Sequence, residues 1–173
     1  DISGWDVSNV TNMQTMLDNA DAFNQDIGHW DTGNVTSMQY MFFGSDSFNQ
    51  DLGDWDVSSL LNAHQMFWET PLTRENYDAL LTGWGAQTLQ PNVPFSVGPT
   101  YCAGETGRQT MVDTFGWVID DGGLVCTVPT DDFIFTVQTD NTGTSEDDQF
   151  TIPTTGGNYN VDCDNDGSLE VIG

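Results

Sequence analysis

The sequence predicts an α+β, β-rich chain: a short right-handed solenoid over residues 1–70, an α/β cap over 71–127, and a partial antiparallel β-sandwich over 131–173. Three observations predict it. One motif is written three times at a 25-residue period, as DISGWDVSNVTNMQTMLDNADAFNQ, DIGHWDTGNVTSMQYMFFGSDSFNQ and DLGDWDVSSLLNAHQMFWET, and the first two copies agree at 14 of 25 positions without a gap. A fixed period of this size marks an architecture in which each copy buries its apolar side against the next. At Pro71 the frame breaks and helical periodicity replaces it. Beyond Pro129 the apolar residues fall in short alternating runs, the pattern of strands.

Within one copy the apolar set is Ile2, Trp5, Val7, Val10, Met13, Met16, Leu17 and Phe23. Met13, Met16 and Leu17 follow i, i+3, i+4, which predicts a single helical turn. Residues 10–12 are short and partly β-branched, which predicts a brief strand before that turn. Residues 6–9 and their equivalents form Asx-type corners, where a short polar side chain bonds the local backbone. Such a coil is leucine-rich-repeat-like in scale. Stacked coils turn each repeated residue into a ladder: Trp5, Trp30 and Trp55; Met16, Met41 and Met66; Asp6, Asp31 and Asp56. The repeated tryptophans and phenylalanines sit at core positions, so packing is expected of them rather than a sugar-stacking platform. The aspartates are expected to cap corners rather than hold metal.

The string W-D-V-S-N-V-T-N-M-x-x-M, followed by F-N-Q-D-I, resembles the bacterial surface-protein repeat of about 25 residues, a relative of the BspA-like leucine-rich repeats. NYDALLTGWGAQTL through YCAGETGRQTMVDTFGWVIDDGGLVC is similar to the segment that closes such arrays. The resemblance implies a non-catalytic module of secreted or cell-surface proteins and carries over no active site.

Charge narrows the partners. The chain has 27 acidic residues against two arginines, Arg74 and Arg108, and a net charge of −25. Nucleic acid requires a basic footprint, and an anionic membrane repels such a chain. Solvation in salty water and bridging of carboxylates by Ca²⁺ are the two readings of the excess acid. No apolar run is long enough to insert into a membrane. The chain begins inside the repeat frame, so it is read as a mature or trimmed piece of a longer secreted protein.

In the cap, Thr73 is the expected N-cap of a helix that buries Tyr77, Leu80, Leu81 and Trp84. Residues 93–97 are expected as a strand, and 105–115 as a helix carrying Met111, Val112 and Phe115 and stopped by Gly116. Residues 117–126 are expected as a hairpin-like or strand–turn–strand unit. The cap covers the end of the solenoid, which otherwise presents unpaired backbone groups. Three cysteines in a secreted-looking chain suggest one bridge, Cys102–Cys126, with Cys163 left over; two free thiols are the alternative.

Strands are expected at 133–138, 150–152, 159–163 and 169–172, resembling the opening of an immunoglobulin-like or PKD-like sandwich. A full sandwich needs about seven strands, so the sheet is either cut short or completed from outside. Asp162, Asp164 and Asp166 have the D-x-D-x-D-G spacing that places oxygens around calcium, although an ordinary hairpin turn has the same composition. Calcium is the one cofactor considered. His29 and His64 do not recur at one position of the repeat, and no nucleophile elbow, P-loop or dinucleotide fingerprint occurs.

The expected function is therefore a non-enzymatic extracellular or cell-surface module, adhesive toward proteins or glycans. The alternatives are a subunit that assembles with copies of itself, by coil stacking or strand addition, and a fragment of a polysaccharide-active enzyme.

Overall fold

The computed structural model describes residues 1–126, 160–161 and 170–171. The chain divides into one compact unit at Asp1–Asp131 and another at Asp132–Gly173. The described part of the first unit is mixed α/β: β1 (Ala63–Phe67), α1 (Arg74–Gly85), β2 (Pro94–Val97), α2 (Glu105–Phe115) and β3 (Val118–Asp120). The three strands form one parallel sheet in the order β1-β2-β3. In the second unit, β4 (Asn160–Val161) pairs antiparallel with β5 (Glu170–Val171). Asp162, Cys163, Asp164, Asp166 and the expected strands at 133–138 and 150–152 lie outside the described residues.

The three copies lie side by side, bonded one period apart. Asn12, Ser37 and Asn62 form successive parallel bridges. From there every second N–H donates to the next copy: Met13, Thr15, Leu17 and Asn19 to the carbonyls of Ser37, Gln39, Met41 and Phe43 at 2.7–3.0 Å. Met38, Tyr40, Phe42 and Gly44 donate in the same way to Asn62, His64, Met66 and Trp68 at 2.9–3.1 Å. The intervening N–H groups close turns inside the copy, as Met16 to Met13, Asp18 to Thr15 and Ala20 to Leu17.

This arrangement corrects two local expectations. Residues 13–17 form a run of consecutive turns instead of a helical turn, because half the N–H groups a helix would use internally go to the neighbouring copy. The run takes a left-handed residue at every fourth position: Thr15 and Asn19, Tyr40 and Gly44, Gln65 and Glu69, with φ between 51° and 62°. A side chain in that region costs about 1–2 kcal/mol, which the inter-copy bonds offset. The strand expected at 10–12 shrinks to the single bridge at Asn12 and its equivalents; the third copy alone has a strand, β1, at the positions equivalent to 13–17, and it pairs with β2.

Burial follows the repeat and deepens along it. Ile27, Trp30, Val35, Met41, Phe42 and Phe48 are buried, whereas their first-copy counterparts Ile2, Val10, Met16, Leu17 and Phe23 are half-buried and Trp5 is exposed. The rings of Phe42, Phe48 and Phe67 stack through the middle of this core.

The cap continues the same core. Thr73 Oγ1 accepts the Asn76 N–H at 3.4 Å and starts α1, which buries Tyr77, Leu80, Leu81 and Trp84. Gly83 sets its Cα against the Gly53 carbonyl so closely that any Cβ would collide with it. α2 buries Met111, keeps Val112 and Phe115 half-buried, and ends at Gly116, whose φ of 69° suits a residue without a side chain. Residues 117–126 differ from the expected hairpin. β3 runs parallel to β2, and Leu124 makes a parallel bridge to Tyr101 instead of folding back on β3. Cys102 and Cys126 are joined by a disulfide, Cα atoms 5.0 Å apart. With 24 residues of separation, the chain-entropy model assigns this closure about 3–4 kcal/mol.

Candidate functional site

The turn run has an inner and an outer side. Positions equivalent to 13, 16 and 17 enter the core, and those equivalent to 14, 15 and 18 face solvent to varying degrees. Because the copies are bonded in register, the outer positions line up as rows: Gln14, Gln39 and His64; Thr15, Tyr40 and Gln65; Asp18, Phe43 and Trp68. Neighbouring copies in such a ladder are about 4.8 Å apart, so the rows make a continuous wall.

The wall is polar in the first copy and aromatic in the next two. Tyr40 meets Phe43 edge-on at 5.8 Å between ring centroids and His64 edge-on at 5.9 Å. All three are half-buried, and Trp68, one period beyond Phe43, is 39 % exposed. Amide side chains stand among them. Asn62 Nδ2 donates to Gln39 Oε1 at 3.2 Å, and Asn62 Oδ1 accepts the His64 N–H at 2.9 Å. Aromatic faces beside oriented amides can stack on a ring and bond its hydroxyls. Sequence reasoning missed this set because its members occupy different positions of different copies; the position-by-position alignment that sorts inward from outward residues was the signal that could have found it.

The ladder residues divide by role. Trp30 and Trp55 stack at 6.4 Å with an interplanar angle of 5°, and both are buried. Trp5 is 54 % exposed. Met41 and Met66 are buried and Met16 is half-buried. Asp6, Asp31 and Asp56 are exposed, and each carboxylate accepts the N–H two residues on, from Ser8, Gly33 and Ser58 at 3.1, 3.3 and 2.9 Å. Bonds from the Ser8 hydroxyl and N–H hold Asp6 below the usual carboxylate pKa, and those from Ser58 do the same for Asp56. Among the described residues no three His, Cys, Asp or Glu side chains are grouped to hold a metal. The calcium expectation at Asp162, Asp164 and Asp166 falls outside them.

A part-buried polar cluster lies in the cap. Arg108 Nε donates to Asp121 Oδ2 at 2.7 Å, the Tyr77 hydroxyl donates to the same oxygen at 2.7 Å, and the guanidinium lies 5.0 Å from the Tyr101 ring centre. Burial first, and then the Asp121 carboxylate, pushes the Tyr77 hydroxyl far above its ordinary range. Burial acts to lower the Arg108 pKa, but pairing with Asp121 outweighs it and raises it. The carboxylate also accepts the Gly123 N–H at 3.1 Å. These bonds tie α1, α2 and the turn after β3 together, a structural task.

The family model described as "Mycoplasma protein of unknown function, DUF285" matches residues 1–89, which span the three copies and α1. No curated protein and no solved structure matches the chain.

Proposed function

The chain belongs to the DUF285 family, and on that premise we propose that it is a non-enzymatic module displayed on a bacterial cell surface, where it adheres to neutral glycan. The copies act as coils of a short leucine-rich-repeat-like solenoid, a reading supported by their in-register bonding, and the cap closes its far end. The observation that carries the function is the outward aromatic set of Tyr40, Phe43, His64 and Trp68 beside the amides of Gln39 and Asn62. Half-exposed rings on a backbone held by inter-copy bonds are pre-organised, so little freedom is lost on binding. The net charge of −25 repels sialylated or sulfated chains and leaves uncharged polysaccharide as the ligand class. No helix among the described residues is long and apolar enough to cross a membrane.

The test is binding to immobilised neutral polysaccharides by the full chain and by Trp68→Ala and Tyr40→Ala. Each substitution should weaken binding at least fivefold, about 1 kcal/mol, while the melting temperature of Trp68→Ala stays within a few degrees of the parent. Binding that survives both changes, or binding only to a protein partner, overturns the glycan reading.

A further inference from the structure

Two glutamines on the aromatic wall carry polar atoms with no partner among the described residues. The Tyr40 N–H donates to the His64 carbonyl and the Phe42 N–H to the Met66 carbonyl, which sets Gln39 beside His64 and Tyr40 beside Gln65. Tyr40 and His64 meet along one diagonal of that square, 5.9 Å between ring centroids and 72° between ring planes. Gln39 and Gln65 occupy the other diagonal. Asn62 Nδ2 donates to Gln39 Oε1 at 3.2 Å, so the amide of Gln39 is turned and its Nε2 is left to donate outward. Gln65 is half-buried, and no described residue bonds its side-chain amide. The rings beside them form corners and not a flat platform, because Tyr40 stands at 78° to Phe43 and at 72° to His64. A flat sugar face lies on one ring at a time, whereas a corner between two rings surrounds a compact apolar group such as a methyl.

We propose that the wall reads N-acetylated hexosamine units, and that Gln39 and Gln65 set this specificity. A plain hexose brings only hydroxyls to the corner. An acetamido group brings a methyl, together with an N–H and a C=O that point in opposite directions, as in any trans amide. One glutamine cannot meet both of those groups, but two on opposite corners of a square can. Gln39 Nε2 donates to the acetamido oxygen, Gln65 Oε1 accepts the acetamido N–H, and the methyl sits against the Tyr40 corner. The group is uncharged, so a chain of net charge −25 does not repel it. This inference rests on the glycan reading and narrows it, from neutral polysaccharide to polysaccharide bearing acetamido groups. A site built to bond such a group discriminates against the analogue that lacks it, because its own polar atoms are then left unpaired.

The experiment is calorimetric titration of the full chain with three tetrasaccharides of one β-1,4 backbone, bearing acetamido groups, hydroxyls or free amines at the same carbon. The acetamido tetramer should bind about tenfold tighter than the hydroxyl tetramer. Gln65→Leu should cut that preference to less than about threefold while the hydroxyl tetramer keeps its affinity within about twofold. Gln65→Asn suits the left-handed φ of 51° and draws the amide back from the wall, so it gives the same reading should the leucine variant fold poorly. Equal affinity for the acetamido and hydroxyl tetramers, both weakened by Trp68→Ala, overturns the acetamido assignment and leaves the glycan reading standing. Tightest binding of the amine tetramer overturns it as well, because charge is then what the wall reads. So does a preference that survives both Gln65 variants. Binding of none of the three overturns this inference and the glycan reading together.

Discussion

Copy 3 is covered on its two sides by different chemistry. Toward copy 2 the cover is backbone on backbone, four N–H groups received in register, with Trp30 laid flat on Trp55. Toward the cap β2 covers β1 by backbone pairing, but the corner residues are covered by a helix, whose own N–H groups are spent internally. There a different set of carbonyls, those of residues 52, 55 and 58, is met by side chains. Trp84 Nε1 reaches Leu52, and Gln87 Nε2 reaches the Trp55 carbonyl at 2.8 Å while its Oε1 accepts the Val57 N–H at 2.9 Å. Gln90 Nε2 takes the Ser58 carbonyl at 2.9 Å. A repeat surface is therefore a fixed demand for partners, and a coil and a helix are two ways of meeting it. The difference is vulnerability: the coil spreads the demand over backbone donors that among substitutions proline alone removes, and the helix concentrates it in three side chains.

The largest expected effect tests that concentration. Trp84 is fully buried, so Trp84→Ala should cost about 3–5 kcal/mol in urea unfolding, through the lost volume and the stranded Leu52 carbonyl. Trp5→Ala removes the same side chain from the uncovered end and should cost less than about 1 kcal/mol. Equal losses would mean the two ends are not distinguished by cover. A smaller effect isolates the hydrogen bonds from the packing. Gln87→Met keeps the length of the side chain but strands one donor and one acceptor of copy 3, and should cost about 2 kcal/mol. A loss within about 0.5 kcal/mol would show that water substitutes for the glutamine.

The same contrast explains what the sequence disclosed. The helices were legible because α1 carries its own N-cap, Thr73, and an apolar face of Tyr77, Leu80, Leu81 and Trp84, all local signals. The turn run was not. Met13, Met16 and Leu17 keep helical spacing, yet the conformation there is decided by carbonyls 24 residues away, such as Ser37 for Met13. A local pattern cannot reveal a non-local acceptor. Residues 117–126 failed as a hairpin for a related reason: Leu124 finds its partner at Tyr101, so the Asp–Asp–Gly–Gly turn leads onward instead of back. The aspartate corners were readable because an Asx bond spans two residues. The aromatic wall was hidden because periodicity highlights what repeats, and Tyr40, Phe43, His64 and Trp68 are departures from the repeat.

The smallest effect concerns those corners, and it separates charge from shape. Asp6 and Asp56 have folded-state pKa values below the ordinary carboxylate value, each held down first by a serine hydroxyl and then by that serine's N–H. A depressed acid contributes stability that is present above its unfolded pKa and is lost as pH falls through its folded one. Asp56→Asn keeps an acceptor for the Ser58 N–H and removes only the charge. The melting temperature of the parent should therefore exceed that of Asp56→Asn at pH 7, with the gap constant down to about pH 4 and closing below it. The difference between the two proteins is the quantity to follow, because protonating a chain of net charge −25 also relieves general repulsion in both. A gap that closes above pH 5 would assign the effect to that repulsion rather than to the corner.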